Sequence, residues 1–195
     1  SAHYFIKKNG QVINLVPDLY EAWHAGKSNW KKLKFLNKNS IGIELTNPGH
    51  QHGYEKFSFQ QISSLKKLLK YLIKKYRINL KFILGHSDIS PDRKKDPGEK
   101  FPWHILAKSK LCFWHKLKQK NIKKFRRKKL PFKEQKEFLI NLKKIGYSNF
   151  NQKNSKSDKN LTYNIIAFQR RFRPSLINGI TDRECLLISR NILRL

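Results

Sequence analysis

The stretch "GHSDISPDRKKDPGEKFPW", residues 85–103, places His86, Asp88, Asp92 and Asp96 between glycines and prolines. This local concentration of acids is unusual, because the chain of 195 residues has only 13 Asp and Glu against 43 Lys and Arg. The loop between His86 and Asp96 could fold these two side chains toward one point. An imidazole nitrogen and a carboxylate oxygen suit Zn²⁺, and a catalytic zinc takes three protein ligands and a water. A structural role in a polar loop is the alternative, and two ligands alone do not decide between them.

Two further residues could act on a substrate beside such a metal. Lys94 lies two residues before Asp96, so both would project the same way from an extended segment, and its cation could stabilise an oxyanion. Glu44 in "SIGIEL" is predicted to lie on a strand with its carboxylate facing away from the apolar side. Such a carboxylate could act as general base on a zinc-bound water. The alternative for Lys94 is a solvated lysine without a role in catalysis. The alternative for Glu44 is a surface carboxylate paired with a lysine.

Three elements are predicted to position these residues. Residues 3–16 predict a β-hairpin with a type I′ turn at Asn9-Gly10. Ser58 and Gln61 predict a capping box at the start of a helix. The apolar face of this helix is formed by Ile62, Leu65, Leu69, Ile73 and Tyr76. The segment "LKFIL", residues 80–84, predicts a short buried strand that ends just before His86, and strand ends are where open α/β sheets bind ligands.

The composition changes after Trp103. Residues 108–129 are rich in Lys and Arg and contain no acid, which indicates a boundary or linker. Three helices are predicted beyond it. The first, over 131–145, ends at Gly146; the second, over 161–172, stops before Pro174; the third begins at a capping box from Thr181 to Glu184.

The formal net charge of +30 favours an anionic partner such as nucleic acid, anionic lipid or an acidic polymer. AT-rich coding, which raises the lysine content without selecting a partner, explains the charge equally well. Cys112 and Cys185 are far apart without metal-type spacing, so no disulfide framework is expected. No apolar run is long enough to span a bilayer, so no transmembrane segment is expected.

The motifs "AWHAG", "SIGIELTNPG" and "GHSDISPDRKKDPGEKFPW" together closely resemble the zinc-dependent N-acetylmuramoyl-L-alanine amidases of type 2, which share their fold with peptidoglycan recognition proteins. The segment "IIAFQRRFRPSLINGITDRE" resembles the helical peptidoglycan-binding module of the longer, envelope-anchored branch. The resemblance implies an α/β fold with a mixed central sheet and flanking helices, plus a small C-terminal three-helix module. It implies an amidase domain over 1–107, a basic linker over 108–130 and a peptidoglycan-binding domain over 131–195.

The resemblance also implies the roles of individual residues. His86 and Asp96 would be zinc ligands, Glu44 the catalytic acid or base, and Lys94 the stabiliser of the transition state. Trp23 and His24 would line the substrate groove. The implied reaction is hydrolysis of the amide between N-acetylmuramic acid, or its anhydro form, and L-alanine in peptidoglycan or muropeptides. The implied location is the cell envelope, in the periplasm.

One zinc ligand of the family has no counterpart in the sequence. It is a histidine in an "IHHT"-like or "IHYT"-like strand upstream of "SAHY", so we expect the sequence to be a fragment of a longer protein, whose missing part could carry an outer-membrane anchor. His3 is expected to pack or to support the site. His50 and His52 could in principle substitute for the missing ligand. His104 and His115 are expected to pack or to face water.

Two functions of other classes remain open at this point. One is a non-catalytic peptidoglycan-binding protein of the same fold, the state in which this fold lacks a full zinc triad. The other is a basic nucleic-acid-binding protein. The sequence has no recognition-helix, zinc-finger or RNP-like pattern, so no dedicated nucleic-acid site is expected.

Overall fold

The computed structural model describes residues 1–147 and 159–195. The chain divides into two compact units. The first comprises Ser1–Ser28, Leu33–Leu84 and Lys100–Phe113, and the second comprises Asn29–Lys32, Gly85–Glu99 and Trp114–Leu195. The segment that contains His86 and Asp96 thus belongs to the same unit as the C-terminal helices. The division into domains 1–107, 108–130 and 131–195 is a division of sequence motifs and stays a prediction.

The described residues form five strands and seven α-helices. The strands are β1 (Tyr4–Ile6), β2 (Val12–Asn14), β3 (Asn29–Trp30), β4 (Leu33–Lys34) and β5 (Ile43–Leu45). The helices are α1 (Phe59–Tyr76), α2 (His86–Ile89), α3 (Trp103–Lys108), α4 (Gln119–Ile122), α5 (Phe132–Ile145), α6 (Lys159–Phe172) and α7 (Arg183–Leu193). Short 3₁₀ turns cover Leu36–Lys38, Leu80–Phe82 and Lys123–Phe125. None of the helices in these ranges is both long and apolar enough to cross a membrane.

The first unit contains a three-stranded mixed sheet in the order β2-β1-β5. Strand β1 runs antiparallel to β2 and parallel to β5, with Phe5 level with Ile13 on one side and Glu44 on the other. Because side chains alternate along a strand, these three residues share one face of the sheet. The opposite face carries the buried side chain of Ile6. The predicted mixed sheet is confirmed.

The hairpin of β1 and β2 is confirmed, but its predicted turn type is wrong. A type I′ turn needs a positive φ at both central residues, and of Asn9 and Gly10 only Gly10 has one (86°). The amide of Gly10 donates to the carbonyl of Lys7 (2.8 Å), and the amide of Lys7 donates to the carbonyl of Gln11 (2.9 Å). The connection is therefore a tight turn followed by a left-handed glycine. Asn9 favours it, because its Oδ1 accepts from the amide of Gln11 (3.0 Å).

Helix α1 begins at the predicted capping box. The hydroxyl of Ser58 accepts from the amide of Gln61, and the side-chain oxygen of Gln61 accepts from the amide of Ser58, both at 3.0 Å. The buried apolar residues of the helix are Ile62, Leu65, Leu69 and Leu72. Local capping and a continuous apolar face agree, which explains why the sequence predicted this element well.

The predicted strand at residues 80–84 is wrong. Leu80–Phe82 form a 3₁₀ turn, and the side-chain oxygen of Asn79 accepts from the amide of Lys81 (2.9 Å). The segment pairs with none of the described strands. A strand is stabilised by ladder hydrogen bonds from a neighbour, so without them the local bond of Asn79 decides the conformation. The segment still leads directly into α2, at whose first position His86 lies.

The helices of the second unit follow the apolar pattern of the sequence. Helix α5 ends at Gly146 (φ 151°), as predicted, and α5 packs along α7. Helix α7 begins one residue later than predicted, because its N-cap is Asp182, whose carboxylate accepts from the amide of Cys185 (3.0 Å). Glu184 is buried and accepts two hydrogen bonds from the guanidinium of Arg126 (2.7 and 3.0 Å). It therefore does not form the predicted capping box.

Asp18 ties the end of α1 to the sheet of the first unit. Its carboxylate accepts hydrogen bonds from the hydroxyls of Tyr4 (2.5 Å) and Tyr76 (2.7 Å) and from the ammonium of Lys75 (3.0 Å). Burial raises the pKa of Asp18, but the bonds from Tyr4, Tyr76 and Lys75 together outweigh burial and hold this pKa below its usual value.

We predict that Asp18→Asn lowers the free energy of unfolding at neutral pH by about 2 kcal/mol, because hydrogen bonds to the ionised carboxylate are lost. A depressed pKa in the folded state stabilises the protein above the pKa of the unfolded state, and this contribution disappears as the pH falls through the folded pKa. The cost of the substitution should therefore shrink below about pH 4. Denaturant unfolding as a function of pH measures this. Asp92→Asn, at an exposed position, is the control, and an equal pH dependence in both variants would contradict the assignment.

Candidate active site

The structure brings the predicted pair of metal ligands together. Nδ1 of His86 lies 3.0 Å from Oδ2 of Asp96. The side chain of His86 is 19% exposed and that of Asp96 is 60% exposed, so the pair is open to solvent. Partial burial raises the pKa of Asp96, but the hydrogen bond and charge of His86 and the charge of Lys94 outweigh burial and hold the pKa below its usual value. Asp96 is therefore a carboxylate at neutral pH.

Backbone hydrogen bonds hold the loop that carries this pair. The amide of Ser87 donates to the carbonyl of Asp96 (2.8 Å), which joins the two ends of the loop. The amide of Lys94 donates to the carbonyl of Ser90 (2.9 Å). Lys94 is half-buried, and its charge acts on the carboxylate of Asp96. The loop thus brings together three of the predicted site residues.

The geometry of the pair fits two positions of a tetrahedral zinc site. Two ligand atoms at zinc–ligand distances of about 2.0–2.1 Å lie roughly 3.3 Å apart, close to the 3.0 Å between His86 and Asp96. In residues 1–147 and 159–195, no three His, Cys, Asp or Glu side chains are grouped so that they could hold a metal. His50 and His52 therefore complete no triad there. Both are exposed, and the ring of His50 stacks on Tyr54 with the ring centres 4.3 Å apart.

Glu44, Trp23 and His24 belong to the first unit. Glu44 is exposed on β5, as predicted, and projects from the face that also carries Phe5. Trp23 is 78% exposed. Nε2 of His24 lies 3.2 Å from the carbonyl of Ser40. An exposed indole beside an oriented imidazole is a surface that can stack on an apolar or sugar face and also form hydrogen bonds.

His3 packs in the interior, as predicted. The amide of Gly42 donates to its Nδ1 (3.0 Å), so Nδ1 is the unprotonated nitrogen, and Nε2 donates to the carbonyl of Tyr20 (2.9 Å). Both nitrogens are occupied, and the His3 ring contacts the edge of His24 at 5.4 Å between centres. His3 therefore orients a neighbour and offers no nitrogen to a metal.

Gly42 is required by this packing. A Cβ at position 42 would lie 2.3 Å from Cγ of His24, far inside van der Waals contact. Of the two remaining histidines, His104 is exposed and His115 is buried, which agrees with the prediction that they face water or pack.

No role for Asp88 follows from its neighbours in the sequence, and the structure buries it in the second unit. It is 3% exposed, and its carboxylate accepts hydrogen bonds from the amide of Gly85 (2.8 Å), the hydroxyl of Tyr147 (2.6 Å) and the guanidinium of Arg171 (2.6 Å). Tyr147 and Arg171 are 59 and 83 positions away in the chain. Only the spacing from Gly85 to Asp88, which suits a helix start, signalled part of this role in the sequence.

Residues 1–99 match the family of N-acetylmuramoyl-L-alanine amidases. The amidase AmiD of Escherichia coli is 34% identical over 205 positions, which cover 99% of this chain and 73% of AmiD. The chain belongs to the N-acetylmuramoyl-L-alanine amidase family. The family and the enzyme class predicted from the motifs are therefore confirmed. The 1,6-anhydro-N-acetylmuramyl-L-alanine amidase AmpD of Haemophilus influenzae is 41% identical over 110 positions, and this match covers 58% of that amidase.

Solved amidase structures confirm the α/β fold. A complex of E. coli AmiD with anhydro-N-acetylmuramic acid-L-Ala-D-γ-Glu-L-Lys superimposes with a TM-score of 0.83 at 32% identity, over 100% of this chain and 79% of AmiD. AmpDh3 from Pseudomonas aeruginosa superimposes with a TM-score of 0.84 at 29% identity, over 100% of this chain and 82% of AmpDh3.

We predict that Gly42→Ala lowers the stability of this amidase by about 1–3 kcal/mol, the usual cost of forcing an extra carbon into a packed site. The added carbon should displace His24 from its place against Ser40. Thermal or denaturant unfolding measures the cost. The matched comparison is Gly42→Ala in a His24→Gly background, which removes the three atoms nearest the added carbon, so the cost should be much smaller. An equal cost in both backgrounds would show that the side chain of His24 is not the obstacle.

Proposed function

We propose that this protein hydrolyses the amide bond between N-acetylmuramic acid, or its anhydro form, and L-alanine in peptidoglycan or muropeptides. The observation that carries this proposal is the convergence of His86 and Asp96, 3.0 Å apart, in a chain of this amidase family. The similarity over the whole chain to AmiD, which was solved with an anhydromuramyl peptide, supports this choice of substrate.

We propose Zn²⁺ as the cofactor, with Nδ1 of His86 and Oδ2 of Asp96 as two of its ligands. When bound, zinc supplies a Lewis acid that polarises a carbonyl and lowers the pKa of water. The chain's own contribution is to present the two ligand atoms from the start of α2 and from the loop that Ser87 closes. A catalytic zinc takes three protein ligands, and the described residues group only two, so we expect the 195-residue chain to hold zinc weakly.

The remaining site residues receive the following proposed roles. Glu44 is the general acid or base, because it is a solvent-accessible carboxylate fixed on a strand. Lys94 stabilises negative charge on the amide oxygen in the transition state. Its cation lies near enough to the proposed ligand Asp96 to lower the pKa of that carboxyl. Trp23 and His24 contact the substrate, since the indole is exposed and the imidazole is held in one orientation.

The proposed location is the cell envelope, in the periplasm, where peptidoglycan and muropeptides occur. The net charge of +30 would attract anionic peptidoglycan stems or neighbouring anionic polymers, and salt should screen this attraction. Within the proposed domain arrangement, residues 1–107 carry catalysis and residues 131–195 contribute peptidoglycan binding, joined by the basic segment 108–130.

A non-catalytic peptidoglycan-binding protein is the second candidate. The observation that favours it is that the described residues group two metal ligands and not three. One measurement distinguishes the amidase from the non-catalytic binder: the release of peptide from muropeptides with zinc in excess. Binding of muropeptide without any release would establish the binder.

We predict that Glu44→Gln lowers muropeptide cleavage at saturating zinc by at least about 100-fold, the usual contribution of a general acid or base. Zinc binding should be unchanged, because Glu44 is not a proposed ligand. Mass spectrometry of the released peptide and calorimetric zinc titration measure the two quantities. The matched control is Glu55→Gln, which removes a carboxylate of the same unit that pairs with Lys8 at the surface (2.9 Å). Cleavage by Glu44→Gln near the parent rate would remove Glu44 from the mechanism.

A further inference from the structure

Asp88 lies between the two proposed metal ligands in the chain, and its side chain points into the interior of the second unit. The side chains of Asp88 and Arg171 are each only 1% exposed. Their ion pair, with N and O 2.6 Å apart, is therefore shielded from water. A buried charge is costly unless it is paired and hydrogen-bonded, so the positions of the two side chains are strongly coupled.

The partners of Asp88 are themselves held rigidly. Arg171 lies in the last turn of α6, and its guanidinium stacks 5.2 Å from the ring centre of Phe172. Tyr147 lies two residues after the end of α5 and is 1% exposed. Its ring packs edge to face with two aromatic rings. The ring centre of Tyr147 lies 5.0 Å from that of Trp30 and 6.2 Å from that of Phe168. The two donors thus come from the closely packed helical core of the second unit.

The same carboxylate also fixes the start of α2. Oδ2 of Asp88 accepts from the amide of Gly85 (2.8 Å), the residue before His86. The amide of Ser87, the residue after His86, donates to the carbonyl of Asp96 (2.8 Å). The backbone on either side of His86 is therefore tied on one side to Asp88 and on the other to Asp96.

We propose that Arg171 and Tyr147 are positioning residues of the amidase, which act through Asp88 to fix the loop that carries His86 and Asp96. Groups behind metal ligands commonly set the orientation of those ligands. The C-terminal helices then have a role in catalysis in addition to any binding of peptidoglycan. The catalytic part of this inference rests on the proposed function, whereas the ordering of the loop does not.

The test compares two buried arginines of the same segment. Arg171→Met removes the charge that pairs with Asp88. Arg173→Met removes a guanidinium that is 0% exposed and pairs instead with Asp182 and Glu184. Both variants lose a buried ion pair of the helical core, but only the first loses a contact with the loop. Loss of general stability and loss of loop positioning are thereby separated.

Hydrogen exchange at the amides of Gly85 and Ser87 is the main readout, measured by NMR at a temperature well below both melting transitions. We expect exchange at least tenfold faster than in the parent for Arg171→Met, and within twofold of the parent for Arg173→Met. In the zinc-loaded enzyme, Arg171→Met should lower kcat for muropeptide cleavage more than it changes KM, because the metal-binding loop and not the substrate groove is disturbed.

Unchanged exchange in Arg171→Met would overturn the proposal, and so would an equal acceleration in Arg173→Met. If Arg171→Met does not fold, the same exchange measurement on Tyr147→Phe tests the proposal, because this variant removes one hydrogen bond to Asp88 and keeps the ring. Its control is Tyr76→Phe, which removes the equivalent bond to Asp18 (2.7 Å) in the first unit. Faster exchange in Tyr147→Phe only is expected, and its absence overturns the proposal. Because exchange needs neither zinc nor substrate, an inactive parent would contradict the proposed function alone.

Discussion

The buried carboxylate of Asp88 is the constraint on which the arrangement of the second unit depends. Leaving one member of a buried ion pair without its partner costs about 3–5 kcal/mol, a large share of the stability of an ordinary domain. The folded state therefore requires Arg171 to contact the loop that carries Asp88. This requirement joins the segment 85–99, near the middle of the chain, to helices that follow it by more than thirty residues. The solvent-facing pair of His86 and Asp96 is the outer side of the same loop.

Much of the fold could be predicted because local signals and burial agree. The capping box of Ser58 and Gln61 and the apolar face of α1 lie within one helix, so no distant partner is needed to define it. Gly146 ends α5 for the same local reason. The closeness of His86 and Asp96 was also predictable, since they are ten positions apart, joined by a loop that contains Pro91, and their types indicate a shared role. Family motifs then supplied what spacing could not, the reaction itself.

The errors arose where a distant residue or a competing local bond decides the outcome. The segment 80–84 has the apolar composition of a strand, yet Asn79 caps a 3₁₀ turn there and no described strand pairs with it. Glu184 fits a capping box in sequence, but Arg126 binds it 58 positions away, so Asp182 caps α7. The role of Asp88 could not be predicted for the same reason, because neither Tyr147 nor Arg171 is near it in sequence. Composition and periodicity carry no information about such pairs.

His86 and Asp96 are proposed to form the metal-binding end of the amidase site. Calorimetric titration of the chain with Zn²⁺ measures this binding, at a fixed pH because zinc competes with protons for both ligands. We expect one weakly held zinc per chain, with affinity reduced at least about tenfold by His86→Ala, since a nitrogen ligand is lost. His52→Ala, at an exposed histidine of the first unit, should leave the affinity unchanged. Zinc affinity that survives His86→Ala but is lost in His52→Ala would show that His86 is not a zinc ligand.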